Sequence, residues 1–255
     1  MQRKIREDIV WGEKDEEFGS SLRGLPVLIM VGVTGVGKTT LSNLLREERD
    51  FYLLPGRREL TTKVIIPTMQ HRESGEDKTP NRVERFNYTR RYRKVHPGGM
   101  GYLLSELKIR ARAEEMLLFD GLRGQKETEF AVKNLSQALF VVLTAPDSIR
   151  VKRLLNREDD FDSWGVEESK LEEEELDMIF SPTEKEQLRE EIEAGEINPT
   201  DLKEKVEIIL KEQENYKPQE TKENLLNLAP QRTIHLDSKR LTPQEMLTQV
   251  LEFIT

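Results

Sequence analysis

Residues 32–40 read GVTGVGKTT, in which Gly32 is followed after four residues by Gly37, Lys38 and Thr39. Such spacing is that of a phosphate-binding loop (P-loop), whose glycines let backbone N–H groups turn inward around a polyphosphate. The lysine ammonium neutralises phosphate charge, and the threonine hydroxyl is a ligand for Mg²⁺. The loop therefore predicts a site for a nucleoside triphosphate, ATP or GTP, with Mg²⁺. Its candidate nucleotide-binding residues are Gly32, Val33, Thr34, Gly35, Val36, Gly37, Lys38, Thr39 and Thr40.

A second apolar run, LLFDG, ends at Asp120, which we expect to share Mg²⁺ with Thr39 or to accept a proton from a bound acceptor. The next residue is Gly121, so the catalytic glutamate that usually follows this position in motor ATPases is missing. The Asn-Lys-x-Asp motif of GTPases is also missing from the chain. These features favour phosphoryl transfer to a bound acceptor over hydrolysis.

Phosphoryl transfer depends on positioning and on charge stabilisation, so arginines should surround the transferred group. Arg153 and Arg157 lie four residues apart, on one face of a helix, and are candidate catalytic residues together with Lys38 and Asp120. A basic segment, 56–113, holds 14 Lys and Arg against 6 Asp and Glu in a chain of net charge −8. In and after this segment, the candidate acceptor-binding residues are Arg57, Arg58, Arg90, Arg91, Arg93 and Arg123.

The segment 88–93 alternates tyrosines with arginines. On a strand, Tyr88, Arg90 and Tyr92 would share one face, which suits stacking on a base next to a phosphate. The following residues, 96–102, are rich in glycine and predict a mobile loop beside the acceptor, where His96 is either structural or a proton relay.

Alternating apolar runs and helical patterns predict a parallel sheet with helices on both faces, and therefore an α/β fold. The predicted strands are 25–32, 115–121, 138–146 and 232–238, and each is followed by a helical pattern. Ligands of such sheets bind at the carboxyl ends of the strands, where residues 32–40 and Asp120 lie.

Three stretches besides residues 32–40 resemble the P-loop nucleotide kinases, the family of adenylate, guanylate and dephospho-CoA kinases. LLFDGLRGQKETEFA is similar to the strand and turn that carry Asp-Gly-Phe-Pro-Arg in adenylate kinases. VVLTAPDSIRVKRLLNRE reproduces the family's Arg-x-x-x-Arg spacing at Arg153 and Arg157, and RTIHLDSKRLTPQEML is similar to its last strand and helix. The resemblance implies a three-layer α/β/α P-loop fold, Mg-ATP as phosphoryl donor, and arginines that reach the bound phosphates. One departure is Gly124, which stands where the family has arginine, with Arg123 before it.

We expect three parts in the chain. Residues 1–24 are a lead-in, frayed or forming a short surface helix, and 25–160 with 230–255 form the kinase-like core, into which an acceptor-binding segment of about 56–113 is inserted. Residues 161–229 hold 21 Asp and Glu against 8 Lys and Arg and are interpreted as an acidic helical insertion, either a lid or a docking arm. Trp164 would pack this insertion onto the core.

The chain has no cysteine, no apolar run long enough to span a membrane and no signal-like N-terminus, so we expect a cytoplasmic protein without a membrane partner. A net charge of −8 argues against a nucleic-acid partner and for a small-molecule acceptor. Two alternatives stay open: a regulatory or assembly ATPase whose acidic helices dock a second copy or another protein, and an RNA-directed kinase.

Overall fold

The computed structural model describes residues 3–12, 18–73, 80, 82–110, 116–157 and 172–255. Its strands are β1 (Arg3–Arg6), β2 (Ile9–Trp11), β3 (Ser20–Ser21), β4 (Val27–Val31), β5 (Phe51–Leu53), β6 (Leu107–Ile109), β7 (Met116–Leu122), β8 (Ala138–Thr144) and β9 (Thr233–Asp237). Its helices are α1 (Lys38–Glu48), α2 (Arg57–Leu60), α3 (Ile66–Glu73), α4 (Arg82–Val95), α5 (Gly99–Ser105), α6 (Gln125–Asn134), α7 (Asp147–Leu155), α8 (Glu173–Asp177), α9 (Pro182–Glu193), α10 (Pro199–Tyr216), α11 (Pro218–Leu228) and α12 (Pro243–Phe253).

Five parallel strands form the main sheet in the order β5-β7-β4-β8-β9. The four strands predicted from the sequence are confirmed as β4, β7, β8 and β9. The fifth, β5, is an edge strand of three residues, which is too short for an apolar run to predict it. All five strands end at one edge, and the phosphate loop follows the central strand β4.

Helices cover both faces of this sheet, which confirms the α/β fold class with three layers. Along β4 the side chains alternate: Leu28 and Met30 pack on one face, and Ile29 packs on the other. The first face is covered by α1 and α12, and the second by α5, α6 and α11, each of which contributes buried residues to the core on its side. Both faces of the central strand are therefore dry, which explains its continuous apolar sequence.

The N-terminal residues differ from expectation. Among the described residues of this segment, 3–6, 9–11 and 20–21 form strands β1, β2 and β3, which pair with β6 in a four-stranded antiparallel sheet of order β1-β2-β6-β3, and Leu22–Gly24 form a single 3-10 turn. Ile9 is opposite Ile109, a partner 100 residues further along the chain. Strands this short are stabilised by pairing and by burial of Ile5, Ile9 and Trp11, neither of which local sequence patterns reveal.

Residues 88–93 do not form the strand on which Tyr88, Arg90 and Tyr92 would share one face, because they lie in α4. In a helix Tyr88 and Tyr92 share a face four residues apart, whereas Arg90 points elsewhere and is exposed. The predicted loop at 96–102 is also wrong, since α5 begins at Gly99. His96 stacks on Tyr102, with ring centroids 4.3 Å apart, and burial lowers its pKa. The ring is thus part of an aromatic cluster outside the cleft described below.

The described part of the acidic segment is helical, as predicted. Capping boxes at Ser181 and Glu184, and at Thr242 and Glu245 before α12, are both formed. Helix α10 buries Val206, Ile209 and other side chains against α7, while Leu225 of α11 belongs to the core beneath the main sheet. The expected boundary at residues 160 and 161 and the expected packing of Trp164 lie outside the described residues.

Candidate active site

A cleft of about 700 Å³ opens at the carboxyl edge of the main sheet. The phosphate loop forms its floor, and the ends of β7 and β9, the start of α2 and the end of α7 form its walls. It is lined by Thr34, Gly35, Gly37, Lys38, Thr39, Thr40, Gly56, Arg57, Arg58, Asp120, Gly121, Arg123, Arg153, Leu154, Arg157, Ser238, Leu241, Pro243 and Met246.

The loop turns directly into α1. Gly37, with φ of 98°, precedes the helix in a left-handed conformation that a side chain would strain, and Lys38 is the first helical residue. The positive end of the helix dipole therefore faces the cleft. Lys38 Nζ donates a hydrogen bond to the carbonyl of Val33 at 2.7 Å. Burial, with the nearby charges of Arg123 and Arg150, lowers its pKa to about 7, an environment that an anionic ligand would compensate.

Arg153 connects the loop to the end of β9. Its Nη1 donates to the carbonyl of Gly35 at 3.0 Å and to Ser238 Oγ at 2.8 Å, and its Nη2 donates to the carbonyl of Ser238 at 2.8 Å. Burial lowers the pKa of this guanidinium. Arg157 lines the same wall from just beyond the end of α7, so the two arginines do not share the helix face that their spacing predicts. Between them these residues place two positive charges beside the loop.

Gly121 and Arg57 meet at the opposite wall, next to Asp120. Gly121 makes this approach possible, because a Cβ there would lie 3.0 Å from the Cβ of Arg57. Arg57 Nη1 donates to the carbonyl of Gly121 at 3.1 Å, and the two Nη atoms donate to Glu127 at 2.8 and 2.9 Å. Although burial alone would lower the pKa of Arg57, Glu127 and Tyr216 raise it, so the residue stays charged. A guanidinium fixed in this way is ready to bind an anion.

Arg123 follows β7 and is held by α10. Its Nη1 donates to Glu212 Oε1 at 2.5 Å, and its backbone N–H donates to Glu127 Oε2 at 3.1 Å. The side chain is 23% exposed and lines the cleft, while its buried Nε has no hydrogen-bond partner among the described residues. The Nε–H group of Arg123 is therefore a donor that no described residue accepts.

Tyr216, at the end of α10, has three guanidiniums around its ring. The guanidinium carbons of Arg57, Arg123 and Arg93 lie 5.6, 5.7 and 5.8 Å from the ring centroid. Contacts of this kind with an aromatic face stabilise cations without neutralising them. Tyr216 thus packs three like charges side by side next to the cleft.

The cleft gathers most of the predicted site residues, although not all of them. Lys38, Thr39, Asp120 and the candidate arginines at 57, 58, 123, 153 and 157 all line it. Gly32, Val33 and Val36 shape the loop without lining the cleft. Arg90 and Arg91 are exposed on α4, with Arg91 over the ring of Tyr88, and Arg93 lies against the ring of Tyr216 without lining the cleft.

Sequence reasoning missed the residues that hold the loop and the arginines of the cleft in place, a second layer made of Glu127, Arg150, Glu212 and Tyr216. In the sequence, Glu212 cannot be told apart from the other glutamates of the acidic segment, because that segment holds so many of them. The sequence holds one signal, in α7. Arg150, Lys152 and Arg153 follow Ser148 within five residues, and a helix with a single exposed face does not require so many positive charges for solubility.

The donor set suits Mg²⁺ that arrives with a nucleotide. In the described part of the chain, no cluster of three His, Cys, Asp or Glu side chains could hold a metal ion by itself. Mg²⁺ is commonly bound by one or two protein oxygens plus substrate phosphates, and Thr39 and Asp120 offer those oxygens at the cleft. None of the described helices has the length and apolarity needed to cross a bilayer.

A family model described as an AAA domain matches residues 28–177, more than half of the chain. The chain belongs to this AAA-domain family. The match runs from β4 and the phosphate loop to the end of α8, and the sheet order places this AAA-domain protein among P-loop proteins of kinase-like fold. The family match and the fold together confirm the resemblance to P-loop kinases that the sequence shows.

The relatives and solved structures that are similar to this chain share little sequence identity with it. A UPF0200 protein of Saccharolobus islandicus is 25% identical over 145 residues, which cover 56% of this AAA-domain protein and 71% of the relative. Among solved structures, a sulfotransferase of Alicyclobacillus acidocaldarius is 13% identical, with a TM-score of 0.45, covering 90% of this chain and 80% of that one. A gluconokinase of Sinorhizobium meliloti is 12% identical, with a TM-score of 0.42, covering 90% and 91%. Both structural similarities are too weak to bear on function.

Proposed function

We propose that this AAA-domain protein transfers a phosphoryl group from Mg²⁺-bound ATP or GTP to a small anionic acceptor. One observation carries the proposal: Lys38 and five arginines line a single cleft above the phosphate loop, and Asp120 is the one carboxylate lining it within the described residues. Glu127 and Glu212 offset the charges of Arg57 and Arg123 from behind the wall. The positive charge that remains still suits two phosphorylated ligands meeting end to end better than a lone nucleotide and water.

The donor half of the cleft has the parts that a nucleoside triphosphate requires. Backbone amides of the loop, the start of α1 and Lys38 would hold the phosphates, and Thr39 with Asp120 would ligate Mg²⁺. The metal would neutralise charge on the transferred group. Beyond Arg157, the apolar side chains of Leu241, Pro243 and Met246 line the cleft and suit the flat face of a base.

The acceptor half is the wall formed by Arg57, Arg58 and Arg123. Arg57 is fixed by Glu127, and Arg123 by Glu212, so neither guanidinium must be ordered when a ligand binds. Guanidiniums in this arrangement bind phosphate or carboxylate groups through two parallel hydrogen bonds. An acceptor carrying such a group would therefore be oriented toward the loop.

In the reaction, a hydroxyl or phosphate oxygen of the acceptor attacks the terminal phosphorus, and the bond to the leaving diphosphate breaks. Lys38, Arg153 and Arg157 would stabilise the charge that spreads over the transferred group. As the alternative to binding Mg²⁺, Asp120, which lines the same space, is the candidate to accept the proton of an attacking hydroxyl. Within the described residues, no second carboxylate lines the cleft beside Asp120 to activate water.

The test is acceptor-dependent nucleoside diphosphate release. The protein is incubated with Mg-ATP or Mg-GTP and a panel of nucleosides, nucleotides, sugar phosphates and short RNA ends. We expect one anionic small molecule to stimulate release by at least about 100-fold, and Lys38→Met to abolish it. Lys133→Met, at an exposed position of α6, is the matched control and should behave like the wild type. Equal, slow release with every acceptor would refute transfer and favour the regulatory ATPase.

A further inference from the structure

We infer that Glu212 is a positioning residue of this site: from α10 it fixes Thr34 of the phosphate loop and aims Arg123 into the cleft. The inference rests on the proposed function for its effect on turnover. It goes beyond that function because it makes the acidic helical segment a working part of the active site. The sequence predicts only a lid or a docking arm for that segment and gives Glu212 no role.

Both carboxylate oxygens of Glu212 are fully used. Oε1 accepts from Thr34 Oγ1 at 2.7 Å and from Arg123 Nη1 at 2.5 Å. Oε2 accepts from the Thr34 backbone N–H at 3.0 Å and from Arg150 Nη2 at 2.5 Å. Four donors from three different segments therefore converge on one side chain.

Glu212 is ionised and does not touch the cleft. Its side chain is 8% exposed and is absent from the cleft lining. Burial by itself would raise the pKa of this carboxyl, but the charges of Arg123 and Arg150 and the hydrogen bonds from Thr34 outweigh burial and lower it. A carboxylate with every acceptor position occupied cannot take a proton from substrate, so it must act through the groups it holds.

Arg150 completes the clamp on the loop from the other side. Its side chain is 1% exposed; Nε donates to the carbonyl of Thr34 at 2.8 Å, and Nη1 donates to Asp147 at 2.6 Å. Thr34 is thus held at its N–H and hydroxyl by Glu212 and at its carbonyl by Arg150. Since the amide of Thr34 is committed to Glu212, the loop presents its later amides, from Gly35 onward, to a ligand.

Arg123 is the second group that Glu212 positions. Tyr216 lies one helical turn after Glu212, so both project from the same side of α10, and its ring centroid is 5.7 Å from the Arg123 guanidinium. An ion pair at one edge and a ring against the guanidinium leave Arg123 a single orientation in which it lines the cleft. Loss of Glu212 would release this guanidinium and also loosen the loop.

The test uses Glu212→Gln, which keeps the shape but removes the charge and places an amide N–H₂ against existing donors. Glu214→Gln, an exposed position on the same helix, is the matched control. Binding of a non-hydrolysable ATP analogue is measured by calorimetry, and amide exchange of residues 33–40 is followed by mass spectrometry. We expect affinity about 10-fold lower and faster exchange in Glu212→Gln only. Wild-type affinity and wild-type exchange in that variant would overturn the inference.

The readout that a purely structural role would not produce is non-additivity of the kcat losses in a double variant. If Glu212 acts through Arg123, Glu212→Gln should add less than about 2-fold to the loss in kcat already caused by Arg123→Gln. Independent, multiplying losses would contradict this half of the inference. Should Glu212→Gln fail to fold, Thr34→Val removes one hydrogen bond of the clamp and should weaken analogue binding about 3-fold, with unchanged binding counting against the inference. If the wild type transfers phosphate to no acceptor, the proposed function fails, yet binding and exchange still decide the role of Glu212.

Discussion

The two Nη atoms of Arg57 donate to the two different oxygens of Glu127, at 2.8 and 2.9 Å, in a nearly dry environment where the side chains are 13% and 5% exposed. Removing one member of such a pair leaves the other charge buried without a partner. We predict that Glu127→Gln lowers the free energy of unfolding by about 2 kcal/mol and raises the acceptor KM more than the nucleotide KM. Glu129→Gln, on the same helix and bonded only to side-chain amides in the described contacts, is the control for urea unfolding and kinetics. Equal effects on both KM values would contradict this role of Arg57.

Nucleotide binding should take up a proton through Lys38. With a pKa of about 7 in the empty site, this ammonium is partly neutral near neutral pH, and a triphosphate beside it favours the charged form. Uptake should be small well below that pKa and approach about one proton per nucleotide above it, so affinity falls as the pH rises. Calorimetry in buffers of different protonation enthalpy measures the uptake. Lys38→Arg, which stays charged, reports the titration of the nucleotide alone, and identical uptake in both proteins would refute the assignment.

The ionised state of Glu212 predicts how stability depends on pH. Its folded pKa lies below the unfolded value, so the unfolded chain binds this proton first as the pH falls. The stabilisation that Glu212 provides is therefore present above its unfolded pKa and is lost as the pH falls through the folded pKa. Urea unfolding near pH 7 should show Glu212→Gln clearly less stable than the wild type, and the gap should narrow below about pH 4. A gap that is independent of pH would mean that the carboxylate charge contributes nothing.

Helix α11 should stay in place during turnover. Asn224 Nδ2 donates to Glu129 Oε1 of α6 at 2.9 Å, and the neighbouring Leu225 is fully buried. Because the chain has no cysteine, cysteines introduced at positions 129 and 224 would be the only thiols, and a short bismaleimide can join them. The cross-linked protein should keep more than about half of its activity, as should the single-cysteine variants treated with the same reagent. Loss of turnover only on cross-linking would show that α11 moves.

Four strands of the parallel sheet were predictable because β4, β7 and β8 are continuous apolar runs and because each predicted strand is followed by a helical pattern. The places of residues 32–40 and Asp120 were predictable for a related reason, because both follow from the carboxyl ends of predicted strands. Arg153 lies on α7 as expected, whereas Arg157 reaches the cleft from beyond the end of that helix. The N-terminal strands were not, since β2 acquires its structure from pairing with β6 about a hundred residues away.

The second layer of the site escaped prediction for an electrostatic reason. Glu212 differs from neighbouring glutamates only in what surrounds it, and a single sequence does not show that Arg150 and Arg123 converge there. The same holds for α4: alternating tyrosine and arginine suits a strand, but Tyr92 is fully buried in the core from a helix, so tertiary packing decided the outcome.

The central claim, transfer of a phosphoryl group rather than hydrolysis, is tested most directly by following the phosphorus itself. ³¹P NMR of the protein with Mg-ATP and the stimulating acceptor should show a new phosphate ester or anhydride resonance growing as the terminal resonance of ATP disappears. Lys38→Met should show neither change. If the wild type converts ATP only to diphosphate and inorganic phosphate, the account of this cleft as a phosphotransferase site is contradicted.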